Sequence, residues 1–152
     1  MVLRIIIFLL VNFAALGIGG LSTNKGVTSE WYATLAKAPW TPPGWVFGVA
    51  WTSIMICFAI YMAYAWKSVE NKSLLIGLFV IQWILNVAWN PVFFKYHEML
   101  AGLVIISLLT VLLGYFFFGF LQQLKWISLL VLPYFLWLMV ATTLNGYAYF
   151  NN

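Results

Sequence analysis

Gln82, Asn86 and Asn90 recur every four residues in an otherwise apolar stretch, so on a helix they fall along one face. Trp83, Trp89 and Phe93 flank that stripe. Pro91 removes a backbone donor, which predicts a kink and a freed carbonyl near Val87. Neutral amides in a membrane helix ordinarily join helices, at about 0.6 kcal/mol per contact. Three in a row beside three large rings also suit the wall of a cavity. A second stripe, Pro133, Trp137, Ala141 and Asn145, has the same spacing, with Thr142 and Thr143 beside it. Ala141 leaves space between the large Trp137 and Asn145. Trp51, Met55, Phe58 and Met62 make a third stripe, which by itself reads as packing. A pocket built from such faces suits a large, flat, apolar ligand with some polar edge. Tetrapyrroles and sterols both meet that description.

The scarcity of reactive groups excludes much else. The 152 residues contain no Asp; the acids are Glu30, Glu70 and Glu98, and Cys57 and His97 are single. A Ser-His-Asp triad cannot be assembled, and the ligands for a zinc site are too few and too scattered, so no metal site is expected. His97 stands between Lys95 and Glu98 in a connection and reads as a solvated loop histidine rather than a haem ligand. The net charge of +4 is spread over the loops and makes no nucleic-acid patch.

Hydrophobic residues make up 65% of the chain and charged residues 7%, with a mean hydropathy of +1.01. A soluble domain this small cannot hide so much apolar surface. An all-α membrane protein follows, a single domain over 1–152 whose five transmembrane helices are expected at about 3–21, 45–66, 74–94, 99–121 and 126–150. The first run is long for a signal peptide. Short connectors predict antiparallel neighbours in chain order. Trp45, Trp66, Trp126 and Tyr149 fall near span ends, where interfacial aromatics prefer to sit. Ser107, Thr110 and Gly114 give the fourth helix a small-residue packing face, while Phe116, Phe117 and Phe118 point to lipid or neighbours. No span carries a charge at its middle, which argues against an ion-coupled transporter. The positive-inside bias leans toward a cytoplasmic side holding Arg4, Lys67, Lys72 and Lys125.

The first connection, Ser22–Gly44, is long, and long ordered loops often serve as lids. Thr28 or Ser29 is placed to cap a short helix reaching about Ala36, with Glu30 in its first turn and Lys37 near its end. Trp31 and Leu35 would share the face turned to the bundle. Three prolines, Pro39, Pro42 and Pro43, then stiffen the path into the second span.

The segments Trp31-Tyr32, Lys37-Ala38-Pro39-Trp40-Thr41-Pro42-Pro43, Trp51, Leu85-Asn86-Val87-Ala88-Trp89-Asn90-Pro91-Val92-Phe93-Phe94, Pro133-Tyr134-Phe135-Leu136-Trp137 and Ala141-Thr142-Thr143-Leu144-Asn145 occur together. In this combination the chain resembles the translocator protein family, also called tryptophan-rich sensory proteins or peripheral benzodiazepine receptors, over essentially its whole length. The resemblance implies a five-helix bundle whose first loop closes a ligand cavity. It implies binding of porphyrins such as protoporphyrin IX and of isoquinoline or benzodiazepine-type ligands, with no cofactor required. By motif position the ligand-binding residues would be Tyr32, Trp51, Asn86, Trp89, Phe93, Trp137 and Ala141. Animal members carry a sterol-recognition stretch that needs a basic residue after the fifth helix; here Tyr147 is followed by Ala148-Tyr149-Phe150-Asn151-Asn152. Some members pair through a Gly-xxx-Gly on the third helix; here Gly77 is followed by Ile81, so a homodimer would need another interface. The chain thus looks like a bacterial-type member, expected in a cell-envelope membrane with lipid and a flat apolar small molecule as partners and no nucleic acid.

Three functions remain open from the residues. One is a porphyrin-binding membrane protein that transports or senses its ligand. Another is a light-dependent porphyrin-degrading enzyme in which Trp51 and Trp137 donate electrons, since no acid–base residue is available. The third is a structural protein that uses its Trp-rich loop for partners.

Overall fold

The computed structural model describes all residues, 1–152, and contains only helices. These are α1 (Val2–Gly26), α2 (Glu30–Thr34), α3 (Gly44–Ser68), α4 (Lys72–Phe94), α5 (Met99–Gly119), α6 (Leu121–Leu124), a 3₁₀ segment (Lys125–Val131) and α7 (Leu132–Asn151). Five of the helical stretches are long and apolar enough to cross a membrane, the last of them running from Leu121 to Asn151. The surface is correspondingly rich in exposed Leu, Ile, Val and Phe, such as Leu10, Ile84, Val111 and Phe118. In a bilayer such a surface carries no penalty, and the backbone groups are satisfied inside each helix.

Several span boundaries differ from the sequence reading, two of them for identifiable reasons. α1 continues five residues past Leu21, through the polar run Ser22-Thr23-Asn24-Lys25. The Thr23 hydroxyl donates to Asn90 Oδ1 at 2.6 Å, so this polar turn is held against α4 instead of breaking into a loop. The fifth span, expected from residue 126, opens there as a 3₁₀ segment that follows the short α6, and regular α-helix resumes only at Leu132. Pro133 has no N–H to offer the carbonyl of Leu129; the Leu132 N–H takes that carbonyl in a tighter turn. The fourth span ends at Gly119, two residues early. Across Pro91, by contrast, α4 is continuous and runs on to Phe94.

The expectation that consecutive spans lie side by side fails once. α3 and α4 barely meet, although only Val69–Asn71 separates them. α1 packs against both of them, α4 continues the ring to α5, α5 pairs with α7, and α7 with the 3₁₀ segment closes it on α3. Polar anchors explain the arrangement. Asn12, buried in the middle of α1, donates to the Met55 carbonyl of α3 at 3.2 Å. The Trp83 indole of α4 donates to the Val11 carbonyl at 3.0 Å. Hydrogen bonds of this kind replace the hydrophobic drive that lipid removes.

The core is aromatic. Phe58 is fully buried and touches Tyr61, Phe79, Phe116 and Tyr134, each with ring centroids 5.4–6.1 Å away. Met55, Phe58 and Met62 are therefore packing residues. Phe116 is buried and Phe118 exposed, so the triple-Phe run divides between core and lipid. Gly114 lets α7 approach α5: a Cβ there would meet Phe135 at 3.3 Å. One turn away, the Thr110 and Thr142 hydroxyls lie 3.2 Å apart across the same seam.

Candidate functional site

The first connection folds over the bundle end where α4 meets α5. Ser29 caps α2: its Oγ accepts from the Tyr32 N–H at 3.2 Å and its hydroxyl donates to the Gly26 carbonyl at 2.6 Å. α2 stops at Thr34, short of Ala36, because Leu35 turns extended at φ −63, ψ 131. That turn buries Leu35 against Phe93, Phe94 and Ala148. Trp31 stacks on His97, with centroids 4.0 Å apart and planes 13° from parallel, and meets Phe93 edge-on. His97 is the loop residue expected, and its backbone is left-handed at φ 58.

Further along, the segment is tied to α7. The Ala36 N–H donates to Asn152 Oδ1 at 2.9 Å, and Asn152 Nδ2 donates to the Ala36 carbonyl at 3.2 Å. The Trp40 indole donates to Thr143 Oγ1 at 3.2 Å and packs edge-on to Tyr147. Ala38 is buried, and its carbonyl accepts from both the N–H and the hydroxyl of Thr41.

Beneath this cover lies a cavity of about 70 Å³. The covering segment supplies Tyr32, Leu35, Lys37 and Thr41; α3 supplies Phe47; α4 supplies Trp89, Phe93 and Phe94; α7 supplies Ala141, Leu144, Asn145 and Ala148. Trp89 and Phe93 stack at 5.3 Å and 13°. Asn145 fixes that wall: its Oδ1 accepts from the Trp89 indole at 3.0 Å, and its Nδ2 donates to the Met99 carbonyl at 2.9 Å. Lys37 Nζ stands 4.5 Å above the Tyr32 ring. Partial burial of Tyr32 raises its pKa above the ordinary phenol value, so the hydroxyl stays protonated and available as a donor.

Of the residues singled out by motif position, Tyr32, Trp89, Phe93 and Ala141 line this cavity and Trp51, Asn86 and Trp137 do not. Trp51 packs edge-on to Tyr134, at 5.7 Å. Trp137 packs edge-on to the lining residue Phe47 at 5.3 Å, and its indole N–H is buried without a partner. It also borders a larger apolar groove of about 240 Å³ between α3 and α7, which is open to the outer surface and lined by side chains such as Ala50, Ile54 and Val140. The amide stripe of α4 splits by role. Gln82 Nε2 donates to the Tyr134 hydroxyl at 2.8 Å, and Asn90 receives Thr23. Asn86 is only 7% exposed, yet its side chain joins neither bond.

Sequence reasoning passed over Lys37, Thr41 and Phe47 as lining residues. Lys37 and Thr41 belong to the Lys-Ala-Pro-Trp-Thr-Pro-Pro motif, which was a usable signal; Phe47 carried none.

The description "TspO/MBR family" attaches to a family model that matches residues 6–150. Among curated proteins, the chain is 36% identical over 135 residues to the tryptophan-rich protein TspO of Chlorobaculum tepidum, covering 86% of this chain and 85% of that one. It is 32% identical to the tryptophan-rich sensory protein of Cereibacter sphaeroides, covering 76% and 73%. It is also 32% identical to the translocator protein of Homo sapiens, covering 76% and 71%.

Proposed function

Since the chain belongs to the TspO/MBR family and is an integral, multi-pass membrane protein, we propose that it binds tetrapyrroles such as protoporphyrin IX and acts in their transport or sensing. Translocator and sensory protein, the names of two relatives, are consistent with such a role. The observation that carries the reading is the ring-lined cavity under the first connection, with Tyr32, Phe47, Trp89, Phe93 and Phe94 around one space. Flat faces of this kind bind a flat aromatic ligand by stacking and apolar burial. Isoquinoline and benzodiazepine-type ligands share that chemistry.

At about 70 Å³ the partly open cavity is far smaller than the roughly 300–1,000 Å³ of drug-sized sites. Binding therefore requires the first connection to move outward, with α4 and α7 kept as the floor. The test is titration of the protein in lipid nanodiscs with protoporphyrin IX, read as quenching of tryptophan fluorescence. Saturable quenching that Trp89→Phe and Phe93→Ala both alter supports the reading. Quenching unchanged in both variants would move the ligand elsewhere on the bundle.

Light-dependent porphyrin breakdown is a second reading, favoured by the position of the indoles. Trp89 lines the cavity, and Trp137 touches the lining residue Phe47 edge-on. Such a reaction would draw its reactivity from the porphyrin, with the protein supplying position and excluding water. Loss of porphyrin absorbance in light but not in darkness, slowed by Trp137→Phe or Trp51→Phe, is the expected signature. Equal decay in the dark rejects it.

A further inference from the structure

We propose that the groove between α3 and α7 binds one acyl chain of a membrane lipid, as a fixed component of the bundle and at a site separate from the covered cavity.

The groove holds about 240 Å³ and opens to the outer surface. It shares no lining residue with the cavity under the first connection. Ala50, Ser53 and Ile54 form its α3 side, and Pro133, Trp137 and Val140 stand on α7. At spacings of three and four residues, each set occupies one helix face. The gap has a local cause. Ala50 and Ser53 are small, and α3 meets α7 much more sparsely than α5 does. In lipid, helix pairing draws on van der Waals contact instead of the hydrophobic effect. A groove without partner atoms forfeits that contact along its lining.

Depth decides what can restore it. Ala50 to Ile54 stand about 9–15 Å along α3 from Gly44, at about 1.5 Å per residue. That lies within a hydrocarbon core of about 30 Å, too deep for a headgroup and within the reach of an acyl chain. The lining agrees with such an occupant: it carries no charge, and Ser53, exposed on the outer face, is its one hydroxyl. The volume falls below the roughly 300–1,000 Å³ of drug-sized sites, which suits a flexible chain segment better than a rigid ring system. Trp137 joins the two regions: it borders the groove and packs edge-on to Phe47 of the cavity lining. A chain seated in the groove therefore supports that ring from the lipid side.

The experiment is native mass spectrometry of the full chain after reconstitution with one phosphatidylcholine and return to detergent, read as lipids retained per protein. Wild-type protein is expected to retain one lipid per chain. Ser53→Leu and Ala50→Leu each put a branched side chain into the groove and should lower retention by about tenfold. Ala50 is half-buried, whereas Ser53 is exposed, so the Ser53 variant tests the groove without disturbing packed positions. Gly77→Leu adds the same side chain at an open place on α4 and should retain lipid as wild type does. Thermal unfolding in detergent gives a second readout. Added phosphatidylcholine should raise the Tm of wild type and Gly77→Leu by mass action, and raise that of Ser53→Leu less. Wild-type protein that retains no lipid overturns the proposal. Equal retention by wild type and both groove variants overturns it too, and places the lipid elsewhere on the bundle. A dimer mass that disappears in the groove variants would seat a second copy of the chain in the groove and overturn the acyl chain as its occupant.

Discussion

Asn145 holds together the wall on which the ligand reading depends. Its amide spans from the Trp89 indole to the Met99 carbonyl, and so joins α4, α5 and α7 at one point. Asn145→Leu would leave the half-buried Trp89 indole N–H without its partner and cut the tie to α5, at about 1–3 kcal/mol. We expect a lower Tm in detergent and a red-shifted tryptophan emission; an unchanged spectrum would mean that stacking on Phe93 alone fixes Trp89. Ala141 acts by size. It lines the cavity on the same helix, one turn before Asn145. Ala141→Thr adds bulk to a wall around a space of only about 70 Å³, and overpacking of this sort costs typically 1–3 kcal/mol. Porphyrin affinity should fall by tenfold or more by the same conversion, while Tm changes less than it does for Asn145→Leu. An unaltered titration would place the ligand away from α7.

Between elements, close approach of α1 to α4 depends on two glycines. A Cβ at Gly19 would stand 2.5 Å from Asn90 Nδ2, and one at Gly26 would stand 2.5 Å from Phe94 Cβ and Cδ1. The second position matters more for the site, because Phe94 is part of the cavity wall and is buried with little room to yield. Gly26→Ala must shift either α1 or that ring. It should lower Tm by several degrees and weaken ligand binding together. Gly20→Ala is the matched control, since a Cβ there meets nothing within 4 Å. Equal thermal stability of the two variants, measured by loss of the folded form on heating in detergent, would show that α1 can slide without cost.

At the scale of the whole molecule, the question is how so small a site admits a large ligand. Besides the burial of Leu35 against Phe93, Phe94 and Ala148, the covering segment is held by Trp31 on His97, Asn152 on Ala36, and Trp40 on Thr143 and Tyr147. Each bridges to a different place, the loop after α4, the end of α7 and the middle of its last turns. Opening requires these contacts to break, so loosening any one of them should raise the rate of ligand entry. Stopped-flow quenching with Trp31→Ala and Asn152→Ala is expected to give faster association and faster release, with a smaller change in equilibrium affinity. Rates equal to wild type in both variants would mean that ligand enters between helices from the bilayer instead.

The sequence by itself determined the class of molecule, five spans with a long first connection, because length and apolar composition decide what can cross a bilayer whatever the packing. It also narrowed the cap of α2 to Thr28 or Ser29 and exposed the stripes on α4 and α7, which depend on local spacing alone. The order of the helices around the bundle was not legible. Short connectors suggested neighbours in chain order, whereas α1 separates α3 from α4 through bonds from single polar residues, Asn12 and Trp83, to backbone carbonyls far away in sequence. Nor could spacing divide the amides. Gln82 and Asn90 became ties to α7 and α1, and Asn145 became the brace of the cavity wall, according to which helix lay opposite. Lys37 is the clearest case. In the chain it is one of several loop lysines; only the clasp of Asn152 on Ala36 and the turn at Leu35 bring it over Tyr32. A side chain's partners across a bundle are fixed by tertiary packing, and periodicity reports only which face it lies on.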